Sequence, residues 1–103
     1  MPQFLVIGKD GTDEEALGRR MKAREAHIAK SDEAIPKGEQ IIGAAILNAE
    51  GQMTGSAMIV EFETQEKLEE WLENEPYVIG NVWEDIKVIP CKVGPSFAHC
   101  LKK

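Results

Sequence analysis

Two short polar islands in this chain carry the residue types that could move a proton: Arg24-Glu25-Ala26-His27 and Asn74-Glu75-Pro76-Tyr77. Histidine is the side chain whose ordinary pKa, about 6.5, lies near neutrality. A carboxylate on one ring nitrogen would fix the tautomer and leave the other nitrogen free as a general base or acid. His27 and Glu75 can form such a pair if folding brings the islands together. Arg24 could anchor an anionic group or orient the carboxylate. By spacing alone, His27 fits a partly buried structural histidine better than a catalyst. Tyr77 and Trp83 read first as core or interface residues; the functional alternative places Tyr77 in a pocket wall against a ring substrate.

The elements that must position these residues follow from apolar spacing. Phe4-Leu5-Val6-Ile7 is a buried strand ending at Gly8. Thr12-Asp13-Glu14-Glu15 has the form of a capping box opening a helix over 13–30, with Leu17, Met21 and Ile28 as its apolar stripe. Arg24 falls inside that stripe, where it either pairs with a carboxylate or packs its stem and carries its head to water, and His27 on its shoulder beside Arg20 and Ser31. Residues 39–48 and 53–63 read as a hairpin joined by Ala49-Glu50-Gly51-Gln52. Thr64 caps a second helix with Leu68, Trp71 and Leu72 inward, and Pro76 stops it. Residues 86–93, interrupted by Pro90, form a last strand at an edge. The order βαββαβ is the ferredoxin-like split βαβ: an α+β fold with an antiparallel sheet and both helices on one face. Its other face is open, and a second copy of the sheet is the simplest cover, so a homodimer is expected. The two helices end at the same rim of such a sheet, where the islands can meet.

The bulk numbers narrow the function classes. A chain of 103 residues is one domain. Its net charge of −6 argues against nucleic-acid binding, although Arg19, Arg20, Lys22 and Arg24 form a local basic cluster suited to a small anion. Cys91 and Cys100 read as reduced thiols of a cytoplasmic protein. No apolar run is long enough to span a membrane, and no signal-peptide pattern opens the sequence. His99-Cys100 with distant Cys91 has no zinc spacing, so a frayed terminus is expected there and no metal. No nucleotide fingerprint or nucleophile elbow is found, and the reading carries no cofactor.

Taken in order, Arg24-x-x-His27, Gly55-Ser56, Glu61-Phe62-Glu63, Trp71, Glu75-Pro76-Tyr77-Val78 and Val88-Ile89-Pro90 resemble the pattern of the YCII-related (YciI-like) family. The resemblance spans about residues 3 to 93; it divides the chain into a YCII-related domain, 1–93, and a C-terminal tail, 94–103. It implies a dimeric α/β barrel, in which two ferredoxin-like sheets pack face to face. In the family the histidine pairs with an aspartate just before Pro-Tyr, and the pair is regarded as a catalytic dyad. One characterised member removes chloride from a chlorinated hydroxyhydroquinone. The resemblance therefore implies His27 and Glu75 as catalytic residues, with Arg24, Tyr77 and Ser56 binding a small anionic or aromatic substrate for lyase-like acid–base chemistry. The departure is Glu75, one methylene longer than the usual aspartate. It leaves open a second reading, a non-catalytic ligand-binding or structural homodimer. Phe97, in the tail, could fold over a pocket or a partner.

Overall fold

A computed structural model describes residues 1–101 of the chain. Its elements are β1 (Gln3–Asp10), α1 (Ala16–Ala34), β2 (Gln40–Leu47), β3 (Met53–Glu61), α2 (Gln65–Glu73), a one-turn α3 (Pro76–Ile79) and β4 (Trp83–Cys91), followed by a 3-10 segment, Pro95–Cys100. The four strands form one antiparallel sheet in the order β2-β3-β1-β4. This is the ferredoxin-like α+β arrangement expected from the apolar spacing.

Register decides which side chains share a face. Phe4 lies opposite Val60, and Val6 opposite Met58. These four are buried and pack with Leu68 and Leu72 of α2, Tyr77 of α3, and Phe62, Val82 and Trp83. The alternate residues face the other way. Leu5 pairs with Ile59 and Ile89, Ile7 with Ala57, and Ile59 with Ile42. This second face carries no helix. Ile42 is 57% exposed and Ile89 43% exposed.

The second helix follows its local chemistry. Thr64 is its N-cap and accepts from the Lys67 amide at 3.1 Å. Leu68 and Leu72 are buried and Trp71 half-buried. Pro76 not only stops this helix but starts α3. It holds the preceding residue, Glu75, extended and occupies the first helical position, where a missing N–H costs nothing. Asn81, at φ 55, then turns the chain into β4, which begins at Trp83, three residues before the expected start.

The first helix differs most from expectation. The capping box does not form, and the N-cap is Glu15 without a side-chain cap bond. Asp13 instead accepts from the Glu15 amide at 3.2 Å and pairs with Arg19 at 2.7 Å. The helix starts at Ala16 and runs on to Ala34. Leu17, Met21 and Ile28 do not face the core; they are 38%, 50% and 40% exposed. The inward line is Ala16, Arg20, Ala23, His27 and Ala34. Small side chains let α1 lie close to α3, and the long Arg20 and His27 side chains reach from it to Ser56 of the sheet and to Glu75. The expected tail is a 3-10 turn over Pro95–Cys100, with Phe97 59% exposed. Lys102 and Lys103, the end of the expected tail, lie outside the described residues. Among the described residues no cluster of His, Cys, Asp and Glu could hold a metal, and no helix is long and apolar enough to cross a membrane.

Candidate active site

Glu75 owes its position to the proline after it. As the N-cap of α3 its carboxylate folds back and accepts from the Tyr77 amide at 3.1 Å. The same oxygen, Oε1, lies 2.5 Å from His27 Nδ1. Aspartate is the better N-cap residue in general, yet here the longer glutamate reaches both its own helix and α1. The Glu75 side chain is 1% exposed and that of His27 15%. Glu75 Oε2 is buried with no hydrogen-bond partner among the described residues. His27 is further fixed by stacking on the Tyr77 ring, with centroids 3.9 Å apart and 13° between planes, and by a T-shaped contact with Trp83, centroids 6.3 Å apart.

Beside this pair lies a buried ionic network that sequence reading did not identify. Arg20 Nη1 donates to both oxygens of Asp10, at 2.9 and 3.1 Å, and each side chain is 3% exposed. Arg20 Nη2 donates to Ser56 Oγ at 2.8 Å, and Trp83 Nε1 donates to the same oxygen at 3.3 Å. The guanidinium also stands 4.7 Å from the Tyr77 ring centroid. Burial pushes the Asp10 carboxyl up, against the downward pull of Arg20. It pushes the Tyr77 phenol up as well, with Arg20 and Arg24 opposing. Gly8 makes room for this packing, since a Cβ there would stand 2.5 Å from the Trp83 indole.

Arg24, expected either to pair with a carboxylate or to carry its head out to water, is exposed and makes no hydrogen bond or ion pair among the described residues. The buried cation is Arg20, one turn earlier. The usable signal was the line of alanines at 16, 23 and 34, on whose face Arg20 and His27 fall. Alanine adds little apolar weight, so Leu17, Met21 and Ile28 dominate any search by hydrophobic period.

His27 and the residues expected to bind substrate converge on one cavity of about 290 Å3. Arg20, Arg24, His27, Gln40, Ser56 and Tyr77 supply its polar and aromatic wall, and Gly43, Ala44 and Ala45 of β2 one side. Glu75 stands behind His27. A larger cavity, about 700 Å3, is lined in part by Ile7, Ile46 and Lys87 of the open face and contains no histidine. The smaller one is the candidate site, because it holds the paired imidazole and unpaired polar groups.

A ferredoxin-like α+β domain with an imidazole braced by a sealed carboxylate at a small cavity is the class these features describe. The chain belongs to the YCII-related domain family, whose model matches residues 3–92. It is 27% identical over 95 residues to Protein YciI of Escherichia coli O6:H1, covering 86% of this chain and 95% of that protein. An uncharacterised protein of Haemophilus influenzae is 29% identical over 95 residues, with the same coverage of 86% and 95%. Among solved structures, the chain resembles the 5-chloro-2-hydroxyhydroquinone dehydrochlorinase of Burkholderia phenoliruptrix AC1100, in complex with 2,5-dihydroxybenzoquinone. The TM-score is 0.78 at 26% identity, covering 91% of this chain and 97% of the other.

Proposed function

We propose that this chain is a homodimeric acid–base enzyme that removes a proton from a small anionic or aromatic molecule and drives elimination or isomerisation. The observation that carries the reading is the 2.5 Å contact from Nδ1 of His27, at the cavity wall, to the buried Glu75 carboxylate behind it. With Nδ1–H donated to Glu75, the other ring nitrogen, Nε2, is a neutral base. The proton it takes from the substrate leaves an electron pair that expels an anion or shifts a double bond. Arg24 anchors the substrate's negative charge, Tyr77 offers a ring face, and Ser56 lines the same wall. The resemblance to a dehydrochlorinase, an enzyme of elimination by name, supports this reaction class. The open apolar sheet face supports the dimer: burying it against a second copy would gain about 25 cal/mol per Å2 of apolar surface.

The test is chloride release from 5-chloro-2-hydroxyhydroquinone, run beside deuterium exchange from solvent into small phenols and enolisable acids. Wild-type protein is expected to catalyse at least one of these. His27→Asn should lower that rate by about 10²–10⁴-fold. Glu75→Gln keeps an acceptor for the Tyr77 amide but removes the charge that braces the imidazole, and it should lower kcat more than it raises KM. Equal rates in wild type and His27→Asn would remove His27 from the chemistry.

A further inference from the structure

Lys30 is a half-buried cation that the acid–base reading does not use. It follows His27 by three residues on α1, so the two side chains leave the same face of the helix. His27 reaches Glu75. Lys30 reaches α2: its Nζ donates to the Trp71 carbonyl at 2.8 Å and stands 4.9 Å from the centroid of the Trp71 ring. Among the described residues no other hydrogen bond joins α1 to α2. The close packing of α1 is with α3 instead.

The carbonyl that Lys30 holds bears directly on Glu75. Trp71 lies in the last turn of α2, where carbonyls lack helical partners and a cation is favoured. The next carbonyl, of Leu72, accepts from the Glu75 amide at 3.0 Å. The stretch from Trp71 to Glu75 is therefore gripped by α1 at both ends, by Lys30 at its start and by His27 at its finish. A single grip at Glu75 would let this stretch pivot; two fix the approach of the carboxylate to the imidazole. The ammonium is also close enough to feel that carboxylate. Burial pushes the Lys30 pKa down, opposed first by Glu75 and then by Glu33 and Glu39.

We infer that Lys30 is a positioning residue of the His27–Glu75 pair, clipping α1 to the carboxyl end of α2 so that the Glu75 carboxylate is held against His27 Nδ1. The inference rests on that pair being the working pair of the function proposed above. Proton NMR of the full chain, run beside the turnover assays, tests it. The Nδ1–H proton of His27, donated to Glu75, should give a far-downfield signal in the wild type. Lys30→Met keeps an apolar stem on the Trp71 ring and loses the donor. In that variant exchange of the Nδ1–H proton with water should speed up about tenfold. Its kcat should fall about tenfold, with KM within about twofold of wild type. Lys30→Arg, which restores a cationic donor, should bring both back. A lysine that only stabilises the fold would lower the urea midpoint of Lys30→Met and leave exchange and kcat unchanged. That result overturns the assignment, as does a Lys30→Arg protein that behaves like Lys30→Met. Should Lys30→Met not fold, Lys30→Gln, shorter and uncharged, takes its place. The expected exchange pattern in a protein without turnover sinks only the acid–base function. Turnover that His27→Asn abolishes and Lys30→Met leaves intact sinks only the role of Lys30.

Discussion

Tyr77 meets both chemical groups of the site at once. Its amide holds Glu75, its ring stacks on His27, and Arg20 stands near its centroid. It is also the only tyrosine of the chain, so its ionisation can be followed without interference. Burial raises its pKa from the ordinary 10.0. The folded state then holds the phenolic proton more tightly than the unfolded state does. The resulting stability is complete below that ordinary value and is lost as pH climbs through the folded one. Phenolate absorbance should therefore appear only above the ordinary phenol range and together with loss of native circular dichroism. Phenolate formed at or below that range in a folded protein would contradict the burial. The His27–Glu75 juxtaposition was legible before the fold was known, because Pro76 marks a helix boundary and His27 sits late in a helix on the same layer. The role of Ser56 as a shared acceptor was not, since its partners lie 36 and 27 residues away.

At the level of elements, α1 has a buried face of alanines, Arg20 and His27, and an exposed face with three large apolar residues. The two faces should answer differently to substitution. Arg20→Met leaves the Asp10 carboxylate buried without its cation, and removing one partner of such a pair costs about 3–5 kcal/mol. Leu17→Ser changes a surface position and should stay within about 0.5 kcal/mol. Urea denaturation of the two variants measures the contrast. A larger loss from Leu17→Ser would restore the apolar stripe that the sequence suggests. The strands and α2 were readable because their buried residues are also their large apolar ones. In α1 that correspondence fails, and hydrophobic period points about a third of a turn away from the true inner face.

At the level of the whole molecule, the sheet has one face built into a core and one with Leu5, Ile7, Ile42, Ile46, Ile59 and Ile89 uncovered by any helix. A contiguous apolar surface of this kind marks an interaction site. We expect a dimer at micromolar concentration, with the two open faces in contact. Ile42→Glu, at a position 57% exposed in the single chain, should fold normally and sediment as a monomer. A wild-type monomer under the same conditions would refute the face-to-face assembly. The βαββαβ order is visible in the sequence because each element is short and bounded by Gly, Pro or a cap. What covers the second face depends on contacts outside one chain, and no periodicity within it encodes them.

The T-shaped contact between the Trp83 indole and His27, made possible by the bare backbone at Gly8, gives the site an optical signal of its own. Protonated imidazole quenches indole emission more strongly than the neutral ring. The chain has two tryptophans, and Trp71 lies apart, against Phe62 and Lys30. In a Trp71→Phe protein, therefore, the remaining fluorescence should brighten as the imidazole loses its proton and lose that response in His27→Asn. The charge of the proposed base could then be watched during turnover, with no label added.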